Sequence, residues 1–524
     1  MLNVAALCCT IALGAAPGDQ FKTMAETSRW QATATYAQVV ELLERLDRRS
    51  RILHLDSMGR TSQGKPIPLA IIANPPVKSA AQARESGKVI VFAFGNIHAG
   101  EVCGKEALLI LARQLALDPD NPLLANVIVV LAPIYNADGN DPMSPDNRPN
   151  QLGPRQGMGE RANAQGLDLN RDYVKLESPE ARAMVRLLTE WNPHLTIDTH
   201  TTNGSRHRYT LTYAAPLNPS GHPRPIEFVR DVMLPAVTRS LRGRTGYDTF
   251  FYGNFNDELT EWRTYSPLPR FGGPYRGLRG QMSILSEAYA YASYRDRIHV
   301  TLEFVREILQ FTAANARRVV EVAERARCET IHAGRNPQPD DTVGIRHRPA
   351  AFPGHAIVKG YRPDAHDVPQ DHRVMHLGRF EPTRAVRRPW AYVIDGRETG
   401  VVGKLREHGI EVAPFDGIAT VEVYTITGVD RADKAFQGHH LLRFEADAAI
   451  ERRTFDDAVI VATAQALGTL AVYLLEPESE DGLAAWGFFD EGLAAGGEFP
   501  VYRVRAAADA EPRTPSIAPP APSN

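Results

Sequence analysis

His98 and Glu101 stand three positions apart in Gly95-Asn96-Ile97-His98-Ala99-Gly100-Glu101, directly after the apolar run 89–94. A strand that ends in a tight, glycine-containing loop can aim both side chains at one point. An imidazole and a carboxylate are two of the three protein ligands that a catalytic zinc requires. By itself the spacing is equally that of a surface His and a Glu opening a helix, where the dipole favours an anion. Three later stretches add polar groups near apolar runs. They are Gly166-Leu167-Asp168-Leu169-Asn170-Arg171-Asp172, then His194-Leu195-Thr196-Ile197-Asp198-Thr199-His200-Thr201-Thr202-Asn203-Gly204, then Ser283-Ile284-Leu285-Ser286-Glu287-Ala288-Tyr289.

The elements that must position these groups alternate between strand and helix. Apolar residues at Val39, Val40, Leu42, Leu43 and Leu46 predict a helix over 36–49. Strands are predicted over 51–56, 67–73 and 89–94. A helix follows from Glu101 to about 117, with Glu101 and Lys105 spaced to support each other. The run 127–134 is near-continuously apolar and β-branched, as in a strand buried on both faces. Residues 141–164, rich in Pro, Gly, Asn and Arg, read as a long loop, and such loops often carry function. Ser178-Pro179 opens a helix to about 191. Strands over 195–198 and 282–285, helices over 225–241 and 294–327, and an aromatic- and Gly-rich loop over 248–279 complete this half. The fold class is therefore α/β, a mixed, mostly parallel central sheet flanked by helices. From about 340 the texture changes to Pro, charged residues and short β-like runs, predicting a smaller β-rich C-terminal domain over 340–505. Residues 506–524, rich in Pro, Ala and Ser, are expected to be disordered.

The ordered set H-x-x-E, D-x-N-R, a His at the end of an apolar strand and a Glu in another apolar strand resembles the zinc carboxypeptidase family, the metallopeptidases of the carboxypeptidase A type. The resemblance spans roughly 36–327, so the domain of that type is placed at 30–330, and it implies a zinc-exopeptidase-like fold. It also implies one Zn2+ per chain held by His98, Glu101 and His200, with an open position for water. It makes Glu287 the general base, and a carboxylate beside an apolar run is suited to a raised pKa. Asn170 and Arg171 resemble the pair that binds a substrate's terminal carboxylate, a task suited to a forked donor. Arg161 resembles the arginine that steadies the carbonyl oxygen, with Arg148 and Arg155 as competitors in the same loop. Asp168 takes the place of the acid that orients the first zinc histidine. A tyrosine of the 248–279 loop is expected to close over substrate. Tyr275, in the turn Gly272-Gly273-Pro274, is favoured over Tyr265. The chain departs from the best-known relatives in reading Asn170-Arg171-Asp172-Tyr173. Its late loop also carries Arg270, Arg276 and Arg279, which face either an acidic substrate side chain or solvent.

The implied activity is a metallocarboxypeptidase acting on a peptide or peptide-like substrate with a free C-terminal carboxylate. Two other functions use the same residues. One is a zinc deacylase of N-acyl amino acids, although its relatives have shorter chains and read His-Asn-Thr where this chain reads His200-Thr201-Thr202. The other is a non-catalytic binding protein on the same fold, which predicts a missing ligand or base; none is missing.

Composition fits a protein of this kind. The 524 residues are 43% hydrophobic and 23% charged, with a formal net charge of -3. That balance gives no electrostatic case for nucleic-acid binding. The N-terminal run from Met1 through Cys8 and Cys9 to Ala16-Pro17 ends in small residues like a signal peptide, so 1–18 is read as one. It lacks the usual leading Lys or Arg and is too short to span a membrane. The protein is thus expected to be exported to a periplasm or the exterior, and cytoplasmic if the run is no signal. Leu7 argues against lipid attachment at Cys8. Four cysteines, two of them in that run, imply no disulfide framework. Cys103 reads as a small buried thiol.

Overall fold

The runs 89–94 and 127–132 are apolar throughout because their strands lie mid-sheet and are covered on both sides. The computed structural model describes residues 19–489 and 493–513, so the expected leader 1–18 and residues 514–524 lie outside the described residues. Its strands are β1 (Leu53–Arg60), β2 (Pro66–Ile72), β3 (Val89–Gly95), β4 (Val127–Ala132), β5 (Leu195–Thr202), β6 (Leu211–Ala214), β7 (Thr249–Phe251), β8 (Asn254–Phe255), β9 (Glu261–Arg263) and β10 (Met282–Tyr289). Then follow β11 (Thr342–Ala350), β12 (Ala356–Arg362), β13 (Ala365–Leu377), β14 (Arg379–Arg387), β15 (Ala391–Ile394), β16 (Ala413–Arg431), β17 (Leu442–Ala462), β18 (Val501–Val504) and β19 (Ala510–Pro512).

The main sheet has the order β1-β2-β4-β3-β5-β10-β6-β7. Strands β4, β3, β5 and β10 run parallel to one another, while β1–β2, β2–β4 and β10–β6 are antiparallel. The expected mixed, mostly parallel sheet is what forms. One face is covered by the helices Tyr36–Arg49, Cys103–Ala116, Leu234–Thr245 and Tyr294–Ala314. The other is covered by the helix Pro179–Glu190 together with the C-terminal region, whose Val343, Tyr392, Leu405, Tyr473 and Trp486 pack in one cluster with Ile90, Phe92 and Leu188. The β-rich C-terminal region expected from about 340 exists. It shares this core with the first half, and β13 also pairs with β9 of the late loop.

Three element boundaries differ from the sequence expectation. Strand β5 continues to Thr202 and β10 to Tyr289, so His200 and Glu287 lie inside strands rather than beyond them. The apolar runs stop early because one face of each strand turns toward a polar cavity. Lys105 does not support Glu101: its buried ammonium donates to Ala34 O and Asn140 Oδ1, both at 2.5 Å. The tail expected to be disordered from 506 keeps its structure to 513, since Ala510–Pro512 pairs with β16 at 417–419.

Among the described residues no helix is long and apolar enough to cross a membrane.

Helix Thr399–Glu407 of the C-terminal region ends on His408, which is wholly buried against the first half. Tyr275 Oη donates to His408 Nδ1 at 2.7 Å, and Nε2 lies 3.1 Å from Val174 O, which assigns the neutral tautomer. Burial pushes its pKa down to about 3, and burial similarly holds His194 at about 4, His207 at about 3 and His376 at about 4. A depressed folded pKa gives stability that is complete above the unfolded value and lost as pH falls toward the folded one. The protein should therefore lose stability as pH falls from about 6.5 toward 4. In His408→Gln that slope should be shallower by about 1.4 kcal/mol per pH unit, read from denaturant unfolding at several pH values. Equal slopes would show that this imidazole does not stay neutral in the fold.

Candidate metal centre and active site

Strand β3 ends at Gly95, and the chain turns so that Glu101 lies just ahead of the helix Cys103–Ala116. That helix starts against β5, and a Cβ on Gly104 would run into the Thr199 hydroxyl. The close approach brings Glu101 beneath His200. Glu101 Oε1 lies 2.9 Å from His98 Nδ1, and its Oε2 lies 3.0 Å from His200 Nδ1. Thr201 N donates to the same Oε2 at 2.9 Å. One ligand atom from each of His98, Glu101 and His200 lies within 4.8 Å of the others, and all three residues are buried.

The outer nitrogens are occupied as well. His98 Nε2 faces Asp168 Oδ1 at 3.1 Å, and His200 Nε2 faces Asp198 Oδ1 at 2.8 Å. Each imidazole therefore has a carboxylate on both sides. An acid behind a histidine fixes its tautomer with the outer nitrogen protonated and the inner lone pair free for a metal. In that tautomer two lone pairs would face one carboxylate, an arrangement that a cation between them would relieve. Two nitrogens and a carboxylate at such spacing fit zinc, whose bonds to these atoms are about 2.0–2.2 Å. Charge follows the same logic. Burial pushes the Glu101 carboxyl up, but His98, Arg148 and the imidazole hydrogen bonds outweigh it and hold it well below the usual range. Burial lowers His200, yet Asp198 and Glu101 carry it well above its ordinary value.

Residues 39–266 match the sequence signature of the zinc carboxypeptidase family. Over this segment the chain is similar to the zinc carboxypeptidase family. The chain is similar to Carboxypeptidase 2 of Trichophyton equinum, 23% identical over 478 residues that cover 85% of this chain and 82% of that one. It is also similar to Carboxypeptidase Z of Mus musculus, 32% identical over 151 residues, 28% of this chain and 22% of the relative. Among solved structures, a metallo-carboxypeptidase from Burkholderia cenocepacia aligns with TM-score 0.40 and 15% identity over 54% of this chain and 70% of that one. Carboxypeptidase A from Helicoverpa armigera gives 0.39 and 17% over 54% and 74%.

The cavity beside these groups, about 280 Å³, is lined by His98, Glu101 and His200 together with Arg148, Arg161, Asn170, Arg171, Tyr252, Tyr265, Leu285 and Glu287. Glu287 is the register partner of His200 on parallel strands, so both side chains share a face. Burial pushes its pKa up to about 8, and among the described residues its Oε2 has no hydrogen-bond partner. Asp168 binds His98 and, through Oδ2, Arg161 Nε at 3.0 Å and Nη2 at 2.8 Å. Burial would raise Asp168, but His98, Arg161 and Arg171 hold it far below the usual carboxylate range. Arg171 stacks 3.9 Å over the Phe271 ring, and Asn170 Oδ1 accepts from Gly272 N at 3.0 Å. These two contacts aim the Asn-Arg pair into the cavity.

Several expectations are corrected. Tyr275 does not line the cavity; it is wholly buried with its hydroxyl on His408, because the turn at 272–274 starts a helix, Gly272–Leu278, packed under the C-terminal region. Tyr265 and Tyr252, with rings 5.6 Å apart, stand in the wall instead. Arg270, Arg276 and Arg279 face neither substrate nor solvent. All three are buried, on Asp481, on Asp198 and on His408 O respectively. Arg155 is exposed and takes no part in the cavity. Two cavity groups had no role in the sequence reading. Arg148, there only a competitor of Arg161, donates to Glu101 Oε1 at 2.9 Å. Asp198 backs His200, and period two in a strand could have revealed it, since residues two apart share a face.

Arg276 Nη2 lies 2.9 Å from Asp198 Oδ2, with Nε on Ser283 and Nη1 on Tyr173. Its loss strands a buried carboxylate behind a metal ligand. Arg276→Met is expected to lower stability by about 3–5 kcal/mol, measured by denaturant unfolding. It should also weaken zinc binding by about 10- to 100-fold, measured by chelator competition. A zinc affinity equal to wild type would remove Asp198 from the support of His200.

Proposed function

We propose that this protein hydrolyses the C-terminal peptide bond of a peptide or peptide-like substrate, with one zinc held by His98, Glu101 and His200. The reading is carried by one observation: the three metal donors, the Glu287 carboxyl and the Arg171 guanidinium line a single cavity. A metal centre alone fits many hydrolases. A fixed Asn-Arg pair beside it fits a substrate that ends in a carboxylate.

Arg171 and Asn170 hold the terminal carboxylate and set the register of the chain end. Phe271 under the guanidinium restricts that arginine to one orientation. Tyr252, Tyr265 and Leu285 flank the terminal side chain. Zinc, when bound, supplies Lewis-acid polarisation and lowers the pKa of water to about 7. Glu287 takes the proton of the attacking water and passes it to the leaving amine. Its carboxyl, pushed up to about 8, is suited to hold a proton between these steps, and positive charge beside it draws the pKa back toward neutrality. Arg161, held by Asp168 at the cavity edge, stabilises the negative charge that develops on the carbonyl oxygen.

Glu287→Gln should lower kcat by about 10²- to 10⁴-fold while the protein still binds one zinc by metal analysis. Full turnover in that variant removes Glu287 as the base. Arg171→Ala should raise KM for peptides with a free C-terminus while leaving cleavage of C-terminally amidated peptides equally poor in both proteins. A chelator should abolish hydrolysis and added zinc restore it. In the same panel, turnover of N-acetyl amino acids but not of peptides would replace this reading by a deacylase.

A further inference from the structure

Beyond their paired lengths, β16 and β17 continue to a turn that ends beside the metal centre. The ladder is extended by Ala432 N to Leu441 O at 2.9 Å, and by Phe436 N to His439 O at 2.8 Å with its reciprocal bond at 3.1 Å. The two residues at the tip are Gln437, with φ +50°, and Gly438, with φ +83°. Both lie in the left-handed region, as a tight two-residue hairpin requires. Glycine adopts that backbone freely. At the first tip position the residues that suit it are Asn, Asp and Gly, whose short side chains tolerate the left-handed region. Glutamine has no such advantage for the turn.

Its extra methylene reaches elsewhere. Gln437 Oε1 accepts a hydrogen bond from the backbone N–H of Asp168 at 2.9 Å, a contact between residues 269 apart in the chain. The tip is fixed on both flanks. His439 Nε2 lies 2.6 Å from Glu177 Oε1, and the Arg270 guanidinium sits 5.1 Å over the Phe436 ring. Arg270 is itself held by the buried Asp481, and Trp486 Nε1 donates to that same carboxylate at 2.9 Å. The hairpin is therefore clamped to the segment 168–177 rather than resting on it.

The Asp168 carboxylate makes three contacts that matter to the site: with His98 Nε2, with Arg161, and with Asn170 N, which donates to its Oδ1 at 2.9 Å. An amide oxygen that fixes the Asp168 backbone fixes the direction of its carboxylate. That carboxylate orients one metal ligand and one cavity arginine. We propose that Gln437, at the tip of the C-terminal hairpin, is a positioning residue for the metal centre, acting through Asp168 on His98 and Arg161. The inference rests on the reading of this centre as a zinc site. It makes the C-terminal region a working part of that site.

The test uses the full chain with Gln437→Asn and Gln437→Glu, measuring zinc Kd by chelator competition, kcat and KM on a peptide, and the thermal midpoint. Asparagine suits the left-handed turn better than glutamine but is one methylene short of Asp168. Gln437→Asn is expected to keep or raise the thermal midpoint. Its zinc Kd and kcat should each worsen by about 3- to 10-fold, the scale of one net hydrogen bond, with KM moved less than kcat. Gln437→Glu keeps both reach and acceptor and should hold zinc as tightly as wild type. The proposal is overturned if zinc Kd in Gln437→Asn equals wild type. It is also overturned if both variants lose zinc affinity together with thermal midpoint, because the turn and not the bond would then be responsible. A wild-type protein that binds no zinc would instead overturn the metal-site reading and this proposal with it.

Discussion

The Glu101 carboxylate is shared between two imidazoles, and each imidazole has a second carboxylate behind it. Five ionisable groups, His98, Glu101, His200, Asp168 and Asp198, are thereby packed into a buried volume where three acids outnumber any fixed positive charge on the two rings. Such a set is stable only with added positive charge, from protons, arginines or a cation. The surroundings answer this need. Arg148 meets Glu101, Arg161 meets Asp168, and Arg276 meets Asp198. Each acid of the cluster has its own guanidinium.

That constraint accounts for much of the architecture around it. Parallel pairing of β5 with β10 sets His200 against Glu287 in register, so the distance between these two side chains is fixed by backbone hydrogen bonds rather than by loops. The helix Cys103–Ala116 packs on β5 closely enough to require Gly104, which carries Glu101 into reach. The C-terminal region has a comparable part. It covers one face of the main sheet, buries His408 beneath Tyr275, and grips Arg270 through Asp481. Arg270 precedes Phe271, the platform of Arg171. The region thus supports the Asn170-Arg171 pair as well as the sheet.

Much of this was legible in the chain. The doubly apolar runs of β3 and β4 marked a sheet covered on both faces, and the order of H-x-x-E, D-x-N-R, His and Glu located the cavity's main groups. Boundaries were misread where one rule of burial gave way to another. Strands β5 and β10 looked short because Asp198, His200 and Glu287 interrupt their apolar pattern, although a strand facing a polar cavity keeps its hydrogen bonds while changing its side chains. Arg270, Arg276 and Arg279 read as facing substrate or solvent because an arginine in a Gly-rich segment ordinarily does. Their partners, Asp481, Asp198 and His408, come from distant parts of the chain.

Residue identity and spacing by themselves determined the fold class, the family resemblance and the candidate donors, because these depend on local periodicity and on an ordered set of chemical groups. Tertiary structure alone decided which tyrosines face the cavity, which arginines neutralise which acids, and that a turn near residue 437 reaches Asp168. Those outcomes depend on contacts between segments far apart in sequence, and no local pattern records the partner that a buried charge or an orphaned N–H will find.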